Sequence, residues 1–412
     1  MSILARQSLQ SAPELAAAKA ATSASARPNY NVAIGYLRAF VRLLVFALHS
    51  TIAYYPGPFP GPPPVQRMSI PVSDAAHFAG SRVLIAFNEI TAMSLMFFLS
   101  GLFLWPSLSK KGAGVFLRER TQRLWLPFLA SGGLVAALAY YPAYLQSAGA
   151  RASLGDYFTN WMSFAHWITG PAWFLLVLFI YDLAAAGLFL LAPDWGRRFG
   201  AIAAASATKP LRFLLIVVAV SMAAYVPLAV AFGPYDWWHI GPFWLQKCRS
   251  LQYGAYFFLG AAVGASGLNV GLVATGGALA RRWKTWALAM VAVFLVVANM
   301  ERKAISAHVD ETLLWGTIVG AGWVVCCAVC SFALMAIFVR LARRSRVLDN
   351  FANNSYGMYL VHYPFVTWTQ FALLQAHVSP VLKAACVFAA AIGGAWITAA
   401  ALRRIPVVAR TI

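Results

Sequence analysis

The chain has 412 residues, 61% of them hydrophobic and 11% charged, with 32 Lys and Arg against 12 Asp and Glu for a formal net charge of +20; mean hydropathy is +0.69. Soluble domains carry about a quarter charged residues, so this composition excludes a soluble globular protein. Apolar runs near the ~20 residues needed to cross a hydrocarbon core recur along the whole length. They predict an all-α, polytopic transmembrane helix bundle and not a barrel, whose strands would alternate over about 10 residues.

In chain order, residues 1–31 begin with a stretch rich in Ala, Ser and Gln that has no apolar core long enough for a signal peptide, and are expected to form a flexible cytoplasmic tail. Ten spans are predicted, at 32–55, 82–104, 123–146, 168–192, 211–232, 250–267, 284–300, 311–341, 354–374 and 380–402, followed by a basic cytoplasmic tail at 403–412. With the N-terminus inside, 24 of the 32 cations fall on the cytoplasmic side. Arg67, Arg82, Arg151, Lys247, Arg249, Arg302, Lys303 and Lys383 fall on the other. This asymmetry is the positive-inside pattern and places both termini in the cytoplasm. The net charge is thus a topology signal: the lipid bilayer is the expected partner and nucleic acid is not, although the basic side would also attract a polyanionic ligand. The proline-rich stretch YYPGPFPGPPPVQ, Tyr54 to Gln66, reads as a stiff external spacer. No gap between spans holds a soluble domain, so chemistry must occur in the bundle or at its mouths. Internal repeats, the mark of many transporters, are not evident.

Ionisable residues at membrane depth are costly and face a cavity or a partner. In the first span, YLRAFVRLLVFALHS, Arg38 and His49 are eleven residues apart and share a helix face, separated by roughly 16 Å along the axis. Arg42 extends the cationic end of that face. In the second span, Glu89 is expected at about the depth of His49, where a carboxylate would either pair with the imidazole and hold one tautomer or neutralise another group. The same span ends FFLSG, Phe97 to Gly101, whose Ser-Gly pair allows another backbone to approach. Arg120 and Arg123 follow at i and i+3, a spacing that suits a phosphate clamp as well as a topology signal. Asp182 is expected to pair with a basic group. Ser355, Tyr359 and His362 share a polar face of the ninth span and make a second wall of the cavity that holds His49. Cys326, Cys327 and Cys330 read as packing residues, and no set of residues at metal-ligand spacing is present.

Taken together these residues resemble acyltransferase family 3, membrane proteins that acylate sugars and other extracytoplasmic acceptors. The resemblance spans about residues 32 to 402. It rests on Arg38 with ten residues before His49, on FFLSG, on Arg120 and Arg123 followed by Pro127, on PAWFLLVLFIYDL at Pro171 to Leu183, and on SYGMYLVHYP at Ser355 to Pro364. Gly35 and Leu102 stand where family members often carry an Asp and an aromatic residue. The resemblance implies a bacterial inner-membrane O-acyltransferase with no bound cofactor, taking an acetyl or succinyl group from cytosolic acyl-CoA to a carbohydrate or glycan. Arg38, Arg42, Arg120 and Arg123 would meet the CoA phosphates. His49 would act as general base or carry the acyl group, with Glu89 beside it, and Ser100, Tyr359 and His362 would contact substrate. The alternative is a proton-coupled transporter of a small anionic or sugar-like solute, in which His49 and Glu89 relay a proton.

Overall fold

The computed structural model describes residues 32–57, 71–149, 152–163, 167–234, 236–307, 313–409 and 411. The N-terminal tail and most of the proline-rich stretch lie outside the described residues. Twelve helices carry the architecture: α1 (Val32–Ile52), α2 (Gly80–Gly101), α3 (Leu104–Ala148), α4 (Leu154–Ser163), α5 (Trp173–Leu191), α6 (Trp195–Ala205), α7 (Pro210–Phe232), α8 (Ser250–Ser266), α9 (Trp283–Ala307), α10 (Leu313–Leu341), α11 (Arg346–Ala372) and α12 (Pro380–Leu402).

Eight helical segments of the described residues are long and apolar enough to cross a membrane: α1, α2, α3, Gly170–Leu191 with α5, α7, α9 over Trp283–Lys303, α10 over Gly316–Leu341, and α12. The two further segments expected as spans, 250–267 and 354–374, are also helices of the bundle. One, α8, has 17 residues. The other, α11, has 27 but carries a polar seam of Asn, Ser, Tyr and His. The third span begins earlier than expected. The basic stretch before residue 123 is helical, so α3 runs 45 residues with π-type turns at Thr121–Trp125 and Ala130–Val135. Only at Gly112, with φ of 73°, does the chain leave helical geometry, in a conformation glycine adopts without steric cost.

The bundle has additions that the pattern of long apolar runs does not reveal: the helices α4 and α6 between spans, and a hairpin. Strands β1 (Trp237–Ile240) and β2 (Phe243–Gln246) form an antiparallel hairpin, with Trp237 opposite Gln246 and Ile240 opposite Phe243. Gly241, at φ 55°, makes the two-residue turn with Pro242. Trp244 and Leu245 are buried, and the Trp244 indole N–H donates to the Trp167 carbonyl at 2.8 Å. At its base the Lys247 ammonium, 2.7 Å from the Asp236 carboxylate, holds that carboxyl below the usual range.

Helix α1 is the hub, packed against α2, α10, α11 and α12. Helices α2 and α8 approach backbone to backbone. A methyl group at Gly101 would overlap the Phe257 carbonyl, one at Gly260 that of Phe98, and one at Gly264 that of Leu102. Small residues four apart permit this contact where lipid supplies no hydrophobic drive. The backbone approach expected at Gly101 is therefore made with α8.

Candidate active site

The site is a seam between α1 and α11. Tyr36 O–H donates to Asp349 Oδ1 at 2.7 Å, Arg42 Nη1 donates to Ser355 Oγ at 2.7 Å, and His49 Nδ1 lies 3.0 Å from His362 Nε2. All three pairs are separated by 313 residues, so the two helices run parallel in fixed register, and steps of six and seven residues return each pair to the shared face.

Chain chemistry fixes the ends of this seam. The last carbonyls of a helix lack intrahelical donors. In α1 that of His49 is met by the Gln370 side-chain amide, 2.8 Å away. In α11, Pro364 has no N–H for the Leu360 carbonyl, which accepts the Ser131 hydroxyl at 2.9 Å instead. In the same turn the Tyr359 carbonyl lies 2.7 Å from His362 Nδ1.

These contacts assign the protons. A carbonyl only accepts, so His362 Nδ1 carries a hydrogen. Neutral His362 then presents Nε2 as an acceptor, and His49 Nδ1 must be the donor. His49 Nε2 is left with its lone pair. The result is a relay in which a backbone carbonyl orients His362 and His362 orients His49. Both imidazoles are buried, and Phe46 stacks on His362 with ring centroids 4.2 Å apart and planes 9° apart. Tyr363, 4.9 Å from the His49 ring centroid, closes another side.

At the other end, four arginines converge. Arg42, Arg123, Arg38 and Arg120 are all electrostatic neighbours of Tyr356. The Tyr356 hydroxyl donates to the Arg123 carbonyl, Arg42 lies over the Tyr356 ring at 5.7 Å, and Arg38 lies over Phe103 at 5.3 Å. Arg120 Nε is 3.3 Å from the buried carboxylate of Asp182, the basic partner expected for that residue. Arg38, whose family position three residues earlier is Gly35, thus has an aromatic face beside it.

Other expectations need correction. Glu89 does not pair with His49: its carboxylate accepts from Arg249 Nη1 at 2.9 Å, and the same nitrogen donates to the Glu89 carbonyl at 3.0 Å. The imidazole of His362 occupies the place expected for the carboxylate, and the His49–Glu89 proton relay of the transporter alternative loses its contact. Ser100 donates to the Met96 carbonyl of its own helix at 2.8 Å. It also lies in the last turn of α2, whereas His49 lies in the last turn of α1. Ser81, in the first turn of α2, donates to the Tyr54 carbonyl just past the end of α1, so the two helices are antiparallel and Ser100 stands far from His49. The Tyr359 hydroxyl is committed to the Pro171 carbonyl, and the part of Tyr359 that serves the site is its own carbonyl. Ser131, Thr169, Pro171, Tyr359, His362 and Tyr363 line a cleft beside the relay.

Tyr356, Tyr363 and Gln370 are members of the seam that the sequence reading did not select. Their signal was available. Tyr356 and Tyr363 are seven residues apart, as are Ser355 and His362, so both pairs continue one stripe.

A family model described as an acyltransferase domain, that of acyltransferase family 3, matches residues 31–400. No curated protein and no solved structure matches the chain. The match embraces the seam from Val32 to Ala372, the arginine cluster and the α2–α8 contact. The chain belongs to acyltransferase family 3 and is a membrane acyltransferase.

Proposed function

We propose that this enzyme moves an acetyl or succinyl group from cytosolic acyl-CoA to a hydroxyl of an extracytoplasmic carbohydrate or glycan, with His49 as general base. The observation that carries the reading is the His49–His362 hydrogen bond, which leaves the Nε2 lone pair of His49 as the basic atom of the pair. That nitrogen takes the proton of the acceptor hydroxyl as its oxygen attacks the thioester carbonyl carbon. The new C–O bond forms, the C–S bond breaks, and the proton on Nε2 passes to the departing thiolate, which restores neutral His49. The Nδ1–H stays on the His362 Nε2 lone pair throughout, so the positive charge that develops on His49 has a fixed acceptor beside it. Arg38, Arg42, Arg120 and Arg123 around Tyr356 support the donor side, because guanidiniums suit the phosphates of CoA. The seam itself supports the path, running from those arginines to His49 along one face of α1.

The test is turnover of labelled acyl-CoA by protein reconstituted in liposomes and supplied with an envelope glycan extract. The wild type moves label to a glycan, and His49→Ala lowers the rate by about 10²–10⁴-fold. Full transfer by correctly folded His49→Ala overturns the mechanism.

A further inference from the structure

The foot of α11 carries a groove whose lining includes neither the His49–His362 relay nor the arginines around Tyr356. It opens between α11 and α12, with about 480 Å³ of space lined by Arg346, Val347, Asn350, Phe351 and Trp396. The wall is apolar and uncovered: Val347 is 76% exposed and Trp396 39%. A side chain at Gly393, three residues before Trp396, would meet nothing within 4 Å. The Trp396 indole N–H donates to Asn350 Oδ1 at 3.0 Å, which fixes the ring at the groove's edge.

The mouth is strongly basic. RLARRSRVLDN, Arg340 to Asn350, holds four exposed arginines in seven residues: Arg340, Arg343, Arg344 and Arg346. Among the described residues none of the four side chains makes an ion pair or a hydrogen bond. The one carboxylate of the stretch, Asp349, accepts the Tyr36 hydroxyl. Just past α12, Arg403 reaches the Asn353 carbonyl at 2.6 Å, and Arg404 beside it is exposed.

We propose that this groove binds an anionic phospholipid, its acyl chain along Val347, Phe351 and Trp396 and its headgroup phosphate on Arg346 and the neighbouring arginines. Guanidiniums without counter-ions match a phosphate diester. An apolar wall continuous with them matches a chain covalently attached to that phosphate, and a tryptophan at such a boundary is typical of the membrane interface. A soluble phosphate would leave the wall bare. A zwitterionic lipid would bring an ammonium toward four cations that make no ion pair. The occupant would brace the end of α11 at which Asp349 holds Tyr36, and so the register that brings His362 to His49.

The experiment is native mass spectrometry of the full-length protein, titrated separately with dioleoylphosphatidylglycerol and dioleoylphosphatidylcholine. The anionic phosphatidylglycerol is expected to bind about tenfold or more tightly than the phosphatidylcholine. Arg343→Gln with Arg346→Gln removes that preference, and Trp396→Ala weakens both lipids. Lys209→Gln with Arg212→Gln, which removes the same charge from the foot of α7, keeps the preference. Thermal unfolding without added lipid checks that each variant is folded. Equal binding of the two lipids, or loss of preference in the α7 pair as large as in the α11 pair, overturns the proposal in favour of a diffuse surface potential. Displacement of the bound lipid by glycerol phosphate overturns it in favour of a soluble-phosphate site.

Discussion

His362 touches His49 at 3.0 Å and takes its own orientation from a backbone carbonyl, so it acts through its neighbour and is a positioning residue. Its replacement has a signature that simple destabilisation lacks. In His362→Ala the Nδ1–H of His49 loses its acceptor, the ring can hold either tautomer, and kcat falls about tenfold or more while KM for the acyl donor stays near its original value. Because the two imidazoles work as a unit, His49→Ala with His362→Ala is little slower than His49→Ala alone. A steady-state comparison of the three variants checks this, and an additive double variant would separate the two residues. Arg42 yields the opposite split. Its guanidinium is bonded to Ser355 in the arginine cluster, away from the relay, so Arg42→Gln raises KM for acyl-CoA more than it lowers kcat.

Among elements, the α2–α8 contact is the least tolerant of added volume. Gly101, Gly260 and Gly264 each place a carbonyl of the facing helix where a methyl group would go. Gly260→Val forces the helices apart and costs about 1–3 kcal/mol, read as a lower midpoint of thermal unfolding in detergent. Gly393→Ala is the control, since its site is open and a helical glycine gives up about 0.5–1 kcal/mol relative to alanine. That variant unfolds at a higher temperature. FFLSG marked one side of this contact in the sequence, while Gly260 and Gly264 on the facing helix were identified only by the structure. The hairpin was not legible, because four-residue strands between long apolar runs are indistinguishable from a connecting loop.

For the whole molecule, one ion pair ties distant parts of the chain. Lys383 Nζ lies 2.8 Å from Asp74 Oδ2, both side chains nearly fully buried, and also donates to the Leu374 carbonyl at 3.2 Å. The Asp74 amide donates to the Ala53 carbonyl at 3.1 Å, so the segment before α2 is fastened at once to the end of α1 and the start of α12. Breaking a buried pair strands a charge, which costs about 3–5 kcal/mol, whereas removing both charges costs far less. Asp74→Asn therefore lowers the unfolding midpoint sharply, and adding Lys383→Met restores much of it. If the double variant is as unstable as the single one, the pair does not behave as a buried bridge.

The sequence alone determined the solvent of this protein and the long helices of its bundle, because a lipid core demands long apolar helices and leaves that demand in the composition. It also selected His49, Arg38 and Arg42, since charge within such a helix is costly enough to stand out. Partnership was decided only by the tertiary structure. Glu89 was expected as the neighbour of His49 and His362 only as part of a second wall, because periodicity gives the face of each helix without saying which face meets which. The parallel register of α1 and α11 resolved that choice, delivering His362 to His49 while Arg249 took Glu89.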